Sequence, residues 1–557
     1  MFFPAPGAPV ITIRDMRHAF AGAPPRGGIM HADRDAKREI RDKCNVRWNV
    51  SDSGSLLTRR NLLKTTAGTA LGAVLSPGAQ TPQNPKPRRP DLIRAENEKP
   101  GTTEWMLSKT KVSPPTKYRC PWIEGYCSRT SVGPGESVDI MVSTNPAAPF
   151  LIDVYRLGYY AGKGGRHVAR LGPFKGTVQP EPEIGHQRLR ECRWERATTI
   201  LVPDDWTSGV YLGKLTSEKS GLQSYVVFIV RDNRACDFLF QCSDSTWSAY
   251  NRWPDIWSLY DDGVKKESEW FVGPGVRVSW DRPYGKYRQV LDAPLSQGSG
   301  EFLLWEFPLA FWMEKDGYDV SYISNVDTHA DAQGLLRAKG WLSVGHDEYW
   351  SEQMFANVKE AVSRGVNAAF FSGDTCWGVI PFMPGTSGAP HRIITRADLF
   401  GPFDERSAKD FPELRRFPYS TPTEATLIGA RNVFPYNGPA TDWICTEENH
   451  WIFEGTGMRN GDAIAGLVGF EWMGDPADIP GLRVVAKGVV RNSLADGIYT
   501  ATIYPGPRNN FVFNAATIWW SDGLSAPPGY IRPDEKLQGP DPRVQKITAN
   551  LLNRFVS

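Results

Sequence analysis

Between residues 116 and 232, apolar and polar side chains alternate with a period of two. The runs 137–142, 151–156, 209–215 and 224–230 place Val, Ile, Leu or aromatic residues at every second position, with Gly-Pro-Gly, Asn-Pro and Asp-Asp turns nearby. That rhythm predicts short antiparallel strands in a β-sandwich. The glycine-rich stretch 158–165 lacks GxGxxG spacing and opens no helix, which predicts a hairpin and not a phosphate loop. After Arg231 the pattern changes. The runs 236–241, 318–323, 340–344 and 366–371 are nearly all apolar, with helical periodicity between them. Buried strands alternating with helices predict βαβ units and a mostly parallel sheet.

Three helices carry specific signals. Residues 302–315 read as an amphipathic helix whose first turn Pro308 weakens. Ser351 caps a helix with Phe355, Val358 and Val362 on one face, and Asp541 with Pro542 opens a terminal helix. The expected fold is multidomain: an N-terminal β-sandwich over 116–232, then an α/β domain with a mostly parallel sheet over 233–557.

Length supports that division, because 557 residues exceed what one hydrophobic core organises. Mean hydropathy of −0.39 fits a soluble chain. With 64 basic and 62 acidic residues the net charge is +2, which gives no reason to invoke nucleic acid or an acidic membrane surface. The 20 tryptophans, 53 glycines and 44 prolines suit a β-rich, loop-heavy chain with aromatic-lined surfaces. Eight cysteines include no CxxC pair, which argues against a zinc ribbon or a thioredoxin-like site. Cys120 with Cys127, or Cys236 with Cys242, are the candidate disulfides in an oxidising compartment.

The first 57 residues form an irregular leader. Arg59-Arg60, the small apolar run 65–75 and the small-residue exit at 77–79 then resemble a twin-arginine export signal over 58–79, with Met30 an alternative start. This implies the twin-arginine export machinery as a partner and a periplasmic or extracellular location. The run is too short for a stable membrane anchor. Residues 80–115 read as a linker.

Candidate chemistry gathers at one strand end. The run 340–344 leads into Gly345-His346-Asp347-Glu348-Tyr349-Trp350, at the end of a predicted strand where open α/β sheets bind ligands. Tyrosine, histidine and carboxylate together suit a hard metal ion, and ferric iron is the natural partner of tyrosinate. Tyr349 equally reads as a buried ring with a bonded hydroxyl. His346 is a candidate ligand or general base. Asp374, in the turn after the next strand, is a further candidate acid or base. Cys376 offers a competing thiol nucleophile with His346 or His450 as its base: Gly378 fits a nucleophile elbow, but Asp374 stands where a glycine is expected. No GxSxG occurs.

Thr246-Trp247 with Tyr250-Asn251, the Gly345–Tyr349 turn, the strand ending at Trp377 and the His450 to Gly455 stretch together resemble the C-terminal region of the large (β) subunit of N,N-dimethylformamidase, from about Cys236 onward. The resemblance implies a mononuclear ferric centre, Fe(3+), held by two tyrosines and a glutamate and polarising an amide carbonyl. By motif, Tyr349 corresponds to one tyrosine ligand and Glu454 to the glutamate, with His450 as a nearby acid/base group. The second tyrosine has no clear counterpart. Phe307 occupies its expected place, Tyr318 and Tyr322 are candidates, and His346 is a substitute. The implied activity is metal-dependent hydrolysis of the C–N bond of a small-molecule amide, by a monomer or a homo-oligomer. The alternative is a non-catalytic binding protein that holds a carbohydrate or cell-wall component on tryptophan-rich surfaces.

Overall fold

A sheet apolar on both faces must be covered on both, and the strands Phe150–Leu157, Gly209–Ser217 and Gln223–Val230 are almost wholly buried. In the computed structural model, which describes residues 85–264, 270–402, 404–407, 411–420 and 423–557, they form the centre of a five-stranded sheet. Side chains of one face, Ile152, Val154, Tyr211, Val226 and Phe228, share a core with Val138, Ile140 and Val142 of a separate three-stranded sheet. Those of the other face, Leu157, Val210, Leu212, Tyr225 and Ile229, join the main core with Phe238 and Phe240. The predicted leader and export signal lie outside the described residues.

Residues 80–557 form one compact unit, and the expected boundary at 232/233 falls between strands that share its main core. The chain is β-rich, with several sheets and few helices. Its largest sheet has seven strands in the order Val320–Ser324, Cys236–Cys242, Ala338–His346, Asn367–Gly373, Phe511–Asn514, Asp496–Pro505, Arg483–Arg491. The first five run parallel, with Leu342 opposite both Phe240 and Ala369, and Asp496–Pro505 runs antiparallel to both of its neighbours, so the sheet is mixed.

The residues 158–164 close an antiparallel hairpin between Phe150–Leu157 and Gly165–Phe174. Ser351 Oγ accepts from the Met354 amide at 3.0 Å and starts the helix Glu352–Ser363. Asp541 likewise accepts from the Arg543 amide and starts Pro542–Val556. The predicted helix over 302–315 is two helices, Phe302–Trp305 and Phe307–Lys315, that break at Glu306. Pro308 has no amide to bond the Leu304 carbonyl, so the ladder cannot continue through it. The seven described cysteines are buried and unpaired. Cys236 and Cys242 sit at the two ends of one extended strand, roughly 20 Å apart at the usual rise, and cannot bridge. No described tryptophan is exposed, and Trp253, Trp305, Trp341, Trp350, Trp443 and Trp520 are fully buried. No helix among the described residues is long and apolar enough to cross a membrane.

One buried ion pair ties the five-stranded sheet to the helix Phe307–Lys315. Arg156 donates to both oxygens of Glu314, at 2.8 and 3.0 Å, and both side chains are fully buried. Tyr322 donates to the same Glu314 at 2.9 Å, and Arg156 also donates to the Tyr160 hydroxyl, which donates in turn to Glu96. Burial opposes the charge on Glu96, but Arg156, Lys99, Tyr160 and Arg166 outweigh it and hold the carboxyl at about 2. Removing one member leaves a buried charge unpaired, whereas replacing both removes the mismatch. Glu314→Leu or Arg156→Leu is therefore expected to cost about 3–5 kcal/mol and the double variant much less, read from a denaturation cycle. A depressed carboxyl stabilises the fold above its unfolded value of 4.5 and stops doing so as pH falls toward about 2. The stability gap between the wild type and Glu96→Gln should narrow across that window.

Candidate metal centre

The parallel strands end where Gly345, at φ +71°, turns the backbone against Trp305; a Cβ there would lie 2.6 Å from Trp305 Cβ. His346 follows, only 2 % exposed. Its Nε2 lies 3.0 Å from Glu471 Oε2 and 3.3 Å from Glu348 Oε2, and its Nδ1 lies 3.6 Å from Glu301 Oε2. None of these approaches is aligned as a hydrogen bond. Both ring nitrogens, Glu348 Oε2, Glu471 Oε2 and Asp374 Oδ1 are buried with no hydrogen-bond partner. His346, Asp374 and Glu471 each offer a ligand atom, and the three atoms lie within 4.8 Å of one another.

Electrostatics sharpen the point. Burial disfavours a charged His346, but Glu471, Glu301 and Glu348 outweigh it and push its pKa well above the ordinary histidine value. Burial, then Glu471 and Glu348, push Asp374 well up. Burial also raises Glu471, against the pull of His346. Four carboxylates thus face one imidazole in a dry site, an arrangement that needs protons or a cation.

A chain of phenols adjoins them. Tyr260 donates to Glu348 Oε1 at 2.9 Å and shares hydrogen bonds with Tyr349 at 2.6 Å and Tyr250 at 2.8 Å. The Tyr250 ring lies 4.9 Å from the His346 ring, and the Arg396 guanidinium lies 4.5 Å from the Tyr260 ring centre. Burial, then Glu348, push all three phenols well above their ordinary value. Asp347 takes no part in the open centre. Its carboxylate accepts from Gln241 and Ser343 at 2.7 Å and from Asn325 at 3.1 Å, tying three strand ends together beneath it. Thr246 Oγ1 accepts from the Glu348 amide at 3.0 Å and holds the turn from above. The imidazole and carboxylate atoms without hydrogen-bond partners, with phenols nearby, are donor types that would suit a hard ion such as Fe(3+).

The structure brings together His346 and Asp374, with Tyr349 linked to Glu348 through the Tyr260 hydroxyl. It does not bring in Glu454 or His450. Glu454 is exposed at the end of the short 3₁₀ turn Trp451–Phe453, and its carbonyl accepts from Asn550 at 2.8 Å. His450 starts that turn, its Nδ1 accepting from the Ile452 amide and its ring against Trp451. Burial lowers its pKa. Gly455 and Gly457, at φ +74° and +73°, turn the chain at the surface. Among the second-tyrosine candidates, Tyr322 serves Glu314, Tyr318 packs on Trp312 and Phe238, and Phe307 lies among Trp105, Phe302 and Phe311. The phenols beside Tyr349 are Tyr250 and Tyr260. Sequence reasoning placed Glu348 in the candidate turn without giving it a role of its own and missed Glu301, Glu471 and Tyr260 as site residues; Glu471 had a signal, an acid ending an apolar strand, Ala463–Glu471.

The family description "N,N-dimethylformamidase beta subunit-like, C-terminal" matches residues 151–534. The chain belongs to that family. The match begins within the strand Phe150–Leu157, so the family unit takes in central strands of the five-stranded sheet as well as the region after Cys236. No curated protein matches the chain.

In this dimethylformamidase-like chain Cys376 is fully buried, and burial, then Glu424 and Asp347, push its thiol well up. A thiol so placed is protonated and shielded. Iodoacetamide at neutral pH should leave Cys376 unmodified in the folded protein and alkylate it after denaturation, as read by peptide mass spectrometry.

Proposed function

We propose that this protein is a metal-dependent hydrolase that cleaves the C–N bond of a small amide. The observation that carries the reading is the convergence of buried ligand atoms of His346, Asp374 and Glu471 that have no hydrogen-bond partner. These three residues would hold the ion, with Glu348 and Glu301 beside it. Bound there, Fe(3+) would supply Lewis acidity toward an amide carbonyl. The side chains supply the rest. Glu348 Oε2, free of hydrogen bonds and beside the imidazole, is placed to take a proton from an attacking water. Tyr260 on Oε1 orients that carboxylate, and the aromatic walls of Tyr250, Trp305 and Phe470 exclude bulk water. Family membership favours an amide. The Arg59-Arg60 motif supports twin-arginine export to the periplasm or beyond, and the lack of an exposed tryptophan among the described residues weighs against a tryptophan-rich glycan-binding surface.

The test is metal content and turnover on one preparation. Natively purified protein should carry one iron per chain by inductively coupled plasma mass spectrometry and release amine from a panel of formamides and acetamides. Glu471→Gln and Asp374→Asn should lose metal and reduce kcat/KM by at least about 100-fold, the scale of losing a preorganised charged group. Glu454→Gln and His450→Gln should retain both. Metal-free wild type with no amide hydrolysis would sink the proposal.

A further inference from the structure

A second site candidate lies at the opposite end of the seven-stranded sheet. A cavity of about 690 Å³ is lined by Ala338 and Lys339, Val366 and Asn367, and Asn510, where three parallel strands begin, and by the ends of two helices. The strand Ala338–His346 separates it from His346 by roughly 25 Å at the usual rise. Arg364, Arg508 and Arg554 line it, and among the described residues no carboxylate pairs with any of them. The residues that line it include no aspartate or glutamate.

Arginines beside helix C-termini ordinarily serve the last carbonyls. Here other groups do that work. Asn510 Nδ2 donates to the carbonyls of Val362 and Val366 at 2.9 and 2.8 Å. Asn367 Nδ2 donates to Phe555 at 3.1 Å, and Lys339 Nζ to Val556 at 2.8 Å. All three arginines are exposed, and among the described residues none of their guanidinium groups is held by a hydrogen bond to the protein, so their forks of donors face the solvent-filled groove. Two are also positioned. The Arg508 stem crosses Gly365, at φ +106°, where an added Cβ would lie 3.4 Å from Arg508 Cβ. The Arg554 guanidinium stands 5.9 Å from Trp451 and 5.8 Å from Phe511.

We infer that this groove binds a phosphate group, carried either by a soluble phosphate ester or by an anionic lipid headgroup. Guanidinium forks match phosphate oxygens two at a time, and the cavity is of the size that holds a small ligand. The site stands apart from the candidate metal centre and does not depend on its reading.

Pyrophosphate is the soluble probe, titrated calorimetrically into the full chain at low salt, and phosphatidylglycerol vesicles in a flotation assay are the lipid probe. Saturable binding of either at one site per chain is expected, weakening by about tenfold for each of Arg364→Gln, Arg508→Gln and Arg554→Gln. Lys487→Gln, on an exposed strand of the far sheet edge, should leave it unchanged. Pyrophosphate binding assigns a soluble ligand, and binding to vesicles alone assigns a headgroup. Failure of both probes, or equal binding by the triple arginine variant with an unchanged melting curve, overturns the proposal.

Discussion

Buried negative charge around His346 is the constraint on which the site depends. Glu301, Glu348, Asp374 and Glu471 come from four separate segments, and each is nearly removed from water. Mutual repulsion in a dry environment would drive them apart or force protons onto them. They stay together because their backbones are held by elements that cannot yield. Glu348 rides on a turn pinned by Asp347 and Thr246, and Glu471 ends a strand paired with Asn437–Ile444. The scaffold therefore holds lone pairs at a common point, the preorganisation on which the proposed hard-ion site rests.

That scaffold is rigid because its sheets share cores. The five-stranded sheet is buried on both faces, so the first half of the chain is a wall of the second half's core. The Arg156–Glu314 pair fixes its register against the helix Phe307–Lys315, just after the segment that carries Glu301 and Trp305. Packing thus links the first sheet to one wall of the candidate metal centre. The family match reaching back to residue 151 is in keeping with this continuity.

The two ends of the seven-stranded sheet differ in the chemistry they collect. Its C-terminal strand ends gather carboxylates, an imidazole and phenols, while its N-terminal strand ends gather arginines and amides. Asparagines and Lys339 cap the helix carbonyls at the basic end, so the arginines there keep their charge for other use.

Much of the scaffold was legible in order along the chain. Period-two alternation marked the early strands, and apolar runs marked the parallel ones, because those patterns record which faces are buried. Ser351 and Asp541 announced their helices through capping chemistry that acts over three residues. Pro308 signalled a disturbance, though not that it divides one helix into two. At the site, the turn from His346 to Tyr349 was legible because it follows a buried strand directly. Tyr260 was not, since nothing local distinguishes an inward phenol from a surface one, and the apolar strand before Glu471 marks a strand end without saying what the carboxylate faces; they meet His346 and Tyr349 only through pairings 125 and 89 positions distant. Glu454 illustrates the converse. Its local motif looked right, yet two glycines turn it outward to solvent. Local patterning determined which segments are strands and helices, because burial periodicity and caps act within a few residues. Which side chains share a dry centre was decided by tertiary structure, because that depends on strand order and on contacts that close over most of the chain.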